Sequence, residues 1–195
     1  VLGRITEDTK YTFDQSCRVK AIETASRIEL PSKLSINFMP NAIYEPETCL
    51  AKTLSTARKT GFDKKNIIFE VTEQEKVVSQ DFLVDVFEAY RKEGFMTAID
   101  DFGAGHSGLN LLSDFQPDII KIDMKLIRDI DSNKVNQVLV KGILDIAEQL
   151  GIRIIAEGIE TENEFKYLQD AGVSLMQGYF FQKPMLEAIQ PVVFR

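Results

Sequence analysis

The sequence contains few of the residues that build thiolate and imidazole sites. Its 195 residues include two cysteines, one histidine and no tryptophan. Cys17 and Cys49 are too few for a disulfide framework or a four-cysteine zinc site. The single histidine, His106, excludes any site that needs two imidazoles, and a catalytic triad would have to use that one ring. Any metal binding or catalysis must therefore rely on other side chains.

A long hydrophobic run is also absent. No stretch approaches the roughly 20 consecutive apolar residues that a membrane-spanning helix needs. The chain opens without the basic, apolar and small-residue pattern of a secretory leader. We therefore expect a soluble, cytoplasmic domain, or the cytoplasmic part of a larger protein, without direct insertion into a membrane.

Acidic residues outnumber basic residues by 30 to 23, which gives a net charge of −7. A protein with a field of that sign does not attract long nucleic acids, so we expect none as a partner. An anionic ligand would need cations that carboxylates hold in place. Oxygen ligands without imidazole or thiolate favour Mg²⁺ or Mn²⁺ over Zn²⁺.

The chain repeats one unit, which is an amphipathic helix, a glycine and a short apolar strand that ends in a polar residue. The third such helix carries Val135, Val138 and Leu139 at helical spacing, and the fourth opens with a capping box of Thr161 and Glu164. No linker or low-complexity tract interrupts the pattern, so we treat residues 1–195 as one domain. The glycines that end the four helices are Gly61, Gly94, Gly151 and Gly172.

Six predicted strands alternate with the helices. Strands and helices in this order indicate a parallel sheet with right-handed crossovers. Such a sheet is either an open doubly wound sheet or most of a (β/α)8 barrel. The predicted strands are Leu34–Asn37, Ile67–Val71, Met96–Asp100, Asp118–Asp123, Arg153–Glu157 and Ser174–Gln177.

Polar side chains stand at or near the ends of all six predicted strands. A lone charge in a strand that is buried on both faces is costly to desolvate, so six exceptions at equivalent places indicate a function. The strand ends of a barrel meet at one rim, whereas the ends of distant strands in an open sheet do not. We therefore predict a barrel. The residues are Asn37, Glu70, Asp100, Lys121, Glu157 and Gln177.

These side chains suit phosphodiester cleavage with two metal ions. Asp100 can bridge two ions while Asp101 holds the second, and Asn37 and Glu70 supply oxygens for the first. Lys121 can orient an attacking hydroxide or neutralise phosphate charge. In the same site, Glu157 can take a proton from water or bind a metal through water.

Each position also has a simpler interpretation. Asp100–Gly103 is compatible with a plain strand-to-turn cap, and Glu70 and Glu73 with an acid pair at a helix start. Lys121 can pair structurally with Asp123, and the acids of Glu157–Glu160 can be solvated. Gln177 can belong to an ordinary turn. It is the common position at strand ends that favours the functional interpretation.

The strand ends lie within six longer sequence motifs. These are Ser35–Phe38, Phe69–Glu73, Ala98–Gly105, Ile120–Asp123, Ala156–Glu160 and Gln177–Phe181. In this order they resemble the EAL domain, the family of bacterial cyclic di-GMP phosphodiesterases, and the resemblance covers nearly the whole chain. It implies an α/β fold, the modified (β/α)8 TIM-type barrel, which hydrolyses one phosphodiester of cyclic di-GMP to the linear dinucleotide in second-messenger signalling.

The resemblance also implies roles for individual residues. It implies two ions, Mg²⁺ or Mn²⁺, with Lys121 holding the catalytic water and Glu157 as the acid near the second metal. Glu73 and Glu160 resemble the acids that support the loop and the site, and Gln177 resembles a residue at the substrate end. The residues that resemble metal ligands are Asn37, Glu70, Asp100 and Asp101.

Two departures from the family pattern stand out. The Glu-Ala-Leu motif is absent, and we expect the first barrel strand, with that glutamate, to lie upstream of Val1. His106 stands where the family loop usually carries tyrosine, within Asp101–Leu109, a segment that resembles the loop coupling dimerisation to metal binding. The resemblance further implies a homodimer and an upstream sensory or regulatory domain.

Two other functions remain open. An EAL-type barrel that has lost catalysis can act as a cyclic di-GMP sensor or a protein-interaction module, but such members usually lose the acids that this sequence keeps. A metal-dependent lyase or aldolase would use Lys121 as a Schiff-base lysine, an arrangement in which Asp100 and Asp101 make little chemical sense.

Overall fold

The computed structural model describes residues 6–40, 46–73, 80–105 and 108–189. The chain forms two compact units, of which the first comprises Val1–Val71 and Glu75–Thr97 and the second Thr72–Gln74 and Ala98–Arg195. The strands are β1 (Leu34–Asn37), β2 (Ile67–Thr72), β3 (Met96–Phe102), β4 (Ile119–Ile122), β5 (Arg153–Ala156) and β6 (Leu175–Met176). The helices are α1 (Glu7–Arg27), α2 (Pro46–Thr60), α3 (Gln80–Lys92), α4 (Gly108–Asp114), α5 (Met124–Ile127), α6 (Lys134–Leu150) and α7 (Glu162–Asp170), with a 3₁₀ turn at Lys64–Asn66.

The first unit packs helices against a parallel pair of strands. β1 and β2 run side by side, with Asn37 in register with Glu70 at their carboxyl ends. The rings of Phe69 and Tyr90 lie 4.5 Å apart, centre to centre. This core is apolar and aromatic, so the hydrophobic effect is its main source of stability.

A buried arginine lies inside that core. Arg18 is fully buried, its Nε lies 2.7 Å from a carboxylate oxygen of Asp14, and its Nη1 donates to the Tyr90 hydroxyl at 2.7 Å. Its guanidinium also lies 5.0 Å from the centre of the Phe69 ring. A buried charge is tolerated only with such partners, so removing either Asp14 or Tyr90 would leave a costly charge among aromatic rings.

The second unit is built on four parallel strands. β3 pairs with β4, β4 with β5, and β5 with β6. Strands buried in this way are almost wholly apolar, which makes the charged Asp100 and Lys121 on them conspicuous. The core that α6 and α7 share with these strands consists of Ile122, Ile127, Ile130, Val140, Ala156, Ile159, Leu168 and Val173.

Local signals explain the limits of α6. The Asn133 side chain accepts hydrogen bonds from the amides of Val135 and Asn136, which caps the first turn. Gly151 ends the helix in the left-handed conformation at φ 68°, which a residue with a Cβ adopts reluctantly. Both ends are therefore set by the local sequence.

The strand predictions are confirmed to within two residues at each end, and the predicted helix ends at the four glycines are also confirmed. The apolar side of α6 is only partly buried, since Val135, Val138 and Leu139 are 66%, 71% and 49% exposed. Helices α4 and α5, of seven and four residues, are too short to show a helical period and are not predicted. Within the described segments, none of the helices is long and apolar enough to cross a membrane.

Candidate active site

An irregularity in β3 brings two consecutive aspartates to one place. The register with β4 shifts between Ile99 and Phe102, and Asp101 between them has a φ of 54°. In a regular strand, successive side chains point to opposite faces. A bulge turns the strand locally, and here the carboxylates of Asp100 and Asp101 both reach the same cluster. The strand therefore continues through this pair and ends at Phe102, directly before the turn at Gly103.

Lys121 lies between two carboxylates. Its Nζ is 2.9 Å from Oδ1 of Asp100 and 2.8 Å from Oε1 of Glu157. Lys121 is 6% exposed and Asp100 is 9% exposed. The ammonium comes from the middle of β4, whose neighbours in the sheet are β3 and β5, so strand order alone accounts for the contact. A side chain held between two partners in this way has little freedom of position.

Glu157 follows β5 directly and is partly buried. Burial raises the pKa of its carboxyl group to about 7, and the nearby Asp100 charge also raises it, against the lowering effect of Lys121. Its Oε1 accepts a hydrogen bond from the side-chain amide of Gln177 at 2.5 Å. A carboxylate with a pKa near neutrality is suited to exchange protons at physiological pH.

Asp101 is linked to Asp123, which follows β4. Burial raises the pKa of Asp101, and the negative charges of Asp100 and Asp123 and a hydrogen bond with Asp123 raise it further. Asp123 also caps α5 by accepting from the amide of Lys125 at 2.8 Å. The cluster therefore contains more negative charge than Lys121 neutralises, and a bound cation would relieve this repulsion.

Three carboxylates form a group that fits a metal ion. Oxygen atoms of Asp100, Asp101 and Glu157 all lie within 4.8 Å of one another. Hard oxygen donors of this kind suit Mg²⁺, Mn²⁺ and Ca²⁺. In the described part of the chain, this donor set contains neither thiolate nor imidazole, which agrees with the ion types expected from the sequence.

Glu73 holds the loop that follows β3. Its Oε2 accepts from the amides of Gly103 at 2.8 Å and Gly105 at 3.1 Å, and its Oε1 accepts from the amide of Gly108 at 2.8 Å. Glu73 is 8% exposed. A buried carboxylate with three backbone donors is fully engaged, so Glu73 supports this loop through its side chain.

Glu160 lies at the edge of the site on a separate network. Its Oε1 is 2.9 Å from a guanidinium nitrogen of Arg128, and its amide donates to Glu164 at 2.9 Å. The side chain of Glu160 is 44% exposed. Glu160 is therefore a partly solvated acid that also forms an ion pair. It combines features of the two interpretations that the sequence allowed, a solvated acid of a loop and an acid that supports the site.

The two remaining candidates lie in the first unit. Asn37, which is exposed, and Glu70, which is buried, are neighbours in register at the ends of β1 and β2, and the amide of Phe38 donates to the Glu70 carbonyl at 3.0 Å. The second unit brings together Asp100, Asp101, Lys121, Glu157 and Gln177. His106 lies outside the described residues.

A cleft of about 660 Å³ opens beside the carboxylate group. Asp101, Glu157 and Glu160 line its acidic side, and Tyr179 and Lys183 line another side, where the Lys183 ammonium lies 5.5 Å from the ring centre of Tyr179. A cleft of this volume holds a ligand of drug-like size. The acids, the amide of Gln177 and the aromatic ring together suit a polar ligand with planar groups.

Sequence reasoning missed the part that Arg128 and Glu164 play near this site. Glu164 was recognised only as the last residue of a capping box, and its contact with the amide of Asp129 joins residues 35 positions apart. Arg128 carries no sequence signal at all, because the turn after α5 becomes a neighbour of Glu160 only in the folded chain. Asp123 was noted only as a companion of Lys121.

A family model described as the EAL domain matches residues 4–184. The antirepressor BluF of Escherichia coli K12, which is regulated by blue light and temperature, is 31% identical over 99% of this chain and 48% of that protein. The probable cyclic di-GMP phosphodiesterase PdeG of the same organism is 34% identical over 94% of this chain and 36% of that protein. The chain thus spans about half or less of these curated relatives.

Solved structures agree with this match. A standalone EAL protein from Vibrio cholerae O395 with cyclic di-GMP bound is 50% identical, with a TM-score of 0.94 over 98% of this chain and 81% of that chain. The manganese and cyclic di-GMP complex of Klebsiella pneumoniae BlrP1 is 36% identical, with a TM-score of 0.91 over 99% of this chain and 50% of that chain. These likenesses confirm the predicted fold class, the modified (β/α)8 barrel. The chain belongs to the EAL domain family.

Proposed function

We propose that this chain hydrolyses one phosphodiester bond of cyclic di-GMP and releases the linear dinucleotide. The observation that carries this proposal is the group formed by Asp100, Asp101, Lys121 and Glu157, in which an ammonium lies between two carboxylates beside a cleft. Such a group both holds cations and handles protons. Membership of a family with cyclic di-GMP phosphodiesterases supports the same reaction.

The proposed metal ligands are the oxygens of Asn37, Glu70, Asp100 and Asp101. They would hold two ions, Mg²⁺ or Mn²⁺. The carboxylate group of Asp100, Asp101 and Glu157 and the manganese complex of the similar BlrP1 structure support the choice of ion. Bound there, such ions would supply positive charge to the phosphate and lower the pKa of a water molecule.

Lys121 and Glu157 are the proposed catalytic residues. Lys121, held by Asp100 and Glu157, donates a hydrogen bond to the attacking water and keeps it in line with the phosphorus atom. The water oxygen then forms a bond to phosphorus while the bond from phosphorus to one ribose oxygen breaks. A water proton passes to the Glu157 carboxylate, and the departing ribose oxygen takes a proton from solvent to become a hydroxyl group. The pKa of about 7 at Glu157 supports this role, because a base of that pKa both accepts and releases protons near neutrality.

Gln177, Glu73 and Glu160 have supporting roles in this proposal. Gln177 fixes the orientation of Glu157 through its hydrogen bond and lines the substrate end of the cleft. Glu73 keeps the loop after β3 in place through three backbone amides. Glu160 lines the cleft while its ion pair with Arg128 holds its side chain.

The test is an assay of the purified chain with cyclic di-GMP, once with Mn²⁺ or Mg²⁺ and once with EDTA. We expect the linear dinucleotide, separated by chromatography, only when the divalent cation is present. The matched control is Lys125→Ala, because Lys125 is an exposed lysine four residues from Lys121 whose side chain lies outside this network. The proposal is wrong if the cation-loaded chain leaves cyclic di-GMP intact, or if EDTA has no effect.

A second candidate function is that of a sensor or interaction module which binds cyclic di-GMP without cleaving it. It is favoured by the relative named as an antirepressor, which matches 99% of this chain. Calorimetric binding of cyclic di-GMP without any linear product over hours would support this function. Rapid appearance of the linear product would exclude it.

We propose that the active form is a homodimer that uses the exposed apolar stripe of α6. Val135, Val138 and Leu139 are exposed there, and apolar residues grouped on one helix face often mark an interface. A Val138→Glu variant should shift the molecular mass in light scattering from dimer to monomer. A monomeric mass for the unchanged chain at micromolar concentration would contradict this proposal.

We further propose that residues 1–195 form one EAL-type domain that works in the cytoplasm beside a sensory or regulatory domain. The support is the length of the curated relatives, of which this chain matches 48% and 36%. Deletion of the sensory or regulatory domain from the full-length protein should leave basal hydrolysis in place and abolish the response to the signal.

A further inference from the structure

Glu164 makes an unusual set of contacts for a residue in the first turn of a helix. Its side chain is only 1% exposed. Its Oε1 accepts from the amide of Asp129 at 3.1 Å, and its Oε2 accepts from the amides of Glu160 at 2.9 Å and Thr161 at 3.0 Å. These hydrogen bonds lower the pKa of Glu164 against the raising effect of burial. The carboxylate therefore holds three backbone amides from two separate segments.

A capping box explains only one of these contacts. In that motif the carboxylate accepts from the amide of the N-cap residue, here Thr161. The bonds to Glu160 and to Asp129 are additional, and the second one reaches the turn after α5. Asp129 has a φ of 55°, a conformation that costs energy for a residue with a side chain. Glu164 therefore stabilises a strained turn far away in the sequence.

The segment that Glu164 holds carries Glu157. It begins where β5 ends, and the amide of Glu157 donates to the carbonyl of Ile122 at 3.2 Å. It continues past Ile159, whose amide donates to the carbonyl of Gln177 at 3.2 Å. It ends at Glu160 and Thr161, whose amides donate hydrogen bonds to the Glu164 carboxylate. The segment is thus fixed at its start by the sheet and at its end by Glu164.

We infer that Glu164 is a positioning residue for Glu157, and that it keeps this carboxylate within reach of Lys121 and of the metal ligands. This inference rests on the proposed function for its effect on catalysis. Residues that support the ligands of a metal site fix the orientation of those ligands. Loss of such a supporting residue typically lowers metal affinity or activity 10- to 100-fold. The carboxylate of Glu164 acts in this way through the backbone and touches neither substrate nor metal.

The test compares Glu164→Gln with Thr161→Ala. Gln keeps the size of the side chain, but its NH₂ group cannot accept, so at least one amide loses its partner. Thr161→Ala removes the hydroxyl that accepts from the amide of Glu164 and so weakens the same helix end, yet it leaves the Glu164 carboxylate in place. The readouts are kcat, KM, Mn²⁺ affinity by calorimetry, and amide hydrogen exchange of residues 157–161.

For Glu164→Gln we expect kcat and Mn²⁺ affinity to fall at least about tenfold, KM to change less than twofold, and residues 157–161 to exchange faster. For Thr161→Ala we expect a lower melting temperature with kcat and Mn²⁺ affinity within twofold of the unchanged chain. Glu164→Asp, which keeps the charge but is one methylene shorter, should show the same losses if the Gln variant does not fold.

Unchanged kcat and Mn²⁺ affinity in Glu164→Gln would overturn the inference, and so would equal losses in Thr161→Ala. If the unchanged chain does not hydrolyse cyclic di-GMP, the proposed function fails, but Mn²⁺ affinity and amide exchange still decide the role of Glu164. If Mn²⁺ does not bind either, slow exchange of residues 157–161 in Glu164→Gln would by itself refute the inference.

Discussion

Lys121 shows what a single side chain can do in an acidic site. It is the ammonium that the described structure places between Asp100 and Glu157, at 2.9 Å and 2.8 Å. A flexible side chain with two charged partners loses most of its freedom before any ligand arrives. In the proposed reaction its contribution would therefore come from fixed placement, which is the main source of electrostatic catalysis.

The first prediction concerns Lys121→Ala. We expect kcat for cyclic di-GMP to fall by about 10²–10³, the typical loss when one fixed charge or donor is removed. Binding of the dinucleotide should change much less, because Lys121 acts on the water. Steady-state kinetics and calorimetry separate the two effects, and an unchanged kcat would refute the assignment.

The second prediction concerns Asp100→Asn. This change keeps the size of the side chain and removes a charge that both proposed ions and Lys121 need, so we expect hydrolysis to fall to background. The control is Asp114→Asn, a change at an exposed residue at the end of α4. The assignment would not survive near-normal turnover of Asp100→Asn with Mn²⁺.

At this scale, the grouping of three candidate residues was predictable from the sequence. Asp100, Lys121 and Glu157 were predicted because they interrupt apolar strands, and in the structure they contact one another. The contact of Glu164 with Asp129 and that of Arg128 with Glu160 could not be predicted, because these partners are distant in the sequence and contacts of that kind leave no periodic signal.

At the scale of elements, close contacts with the backbone decide where a glycine is needed, more than helix or strand propensity does. A Cβ on Gly178 would lie 2.1 Å from the carbonyl oxygen of Ile159 and 2.3 Å from its nitrogen. Gly142, in the middle of α6, has nothing within 4 Å of its Cβ position. Packing therefore requires the glycine at Gly178. At Gly142, no neighbouring atom of the described structure would be in the way of a Cβ.

The third prediction uses these two glycines as a pair. Gly178→Ala should lower the free energy of unfolding by about 1–3 kcal/mol, because the backbone must move to admit the methyl group. Gly142→Ala should raise it by about 0.5–1 kcal/mol, because alanine restricts the unfolded chain and favours the helix. Urea denaturation measures both, and a loss of stability in Gly142→Ala would show that the packing around α6 is misjudged.

The elements themselves were largely predictable. Strands and long helices show the periods of 2 and 3.6 residues, and the glycine stops are local signals. The bulge in β3 was not predictable, since the aspartate pair reads equally well as a turn. Which side of α6 is exposed was not predictable either, because an apolar stripe looks the same whether it faces a core or solvent.

At the scale of the whole molecule, charge is the dominant property. The net charge is −7, and three carboxylates of the second unit lie within 4.8 Å of one another. Lys121 compensates only part of this concentration of negative charge. The folded chain is thus expected to gain stability from divalent cations, beyond any general effect of salt.

The fourth prediction is a rise in melting temperature with Mn²⁺. A ligand present at 100 times its dissociation constant stabilises the folded state by about 2.7 kcal/mol. We expect Mn²⁺ to raise the melting temperature, EDTA to reverse the rise, and the same ionic strength of KCl to leave the melting temperature nearly unchanged. Equal shifts with KCl and Mn²⁺ would mean that screening alone is responsible.

The contacts of Glu73 also bear on which substitutions the loop after β3 tolerates. Its carboxylate accepts from the backbone amides of Gly103, Gly105 and Gly108, so these hydrogen bonds depend on N–H groups and not on the side chains of the loop. A Cβ at Gly103 or Gly108 would collide with Leu126 or Phe102, which explains the glycine at both positions. At Gly105 the hydrogen bond to Glu73 needs an amide hydrogen, which every residue except proline supplies. Proline at this position would therefore remove one of the three anchors of the loop.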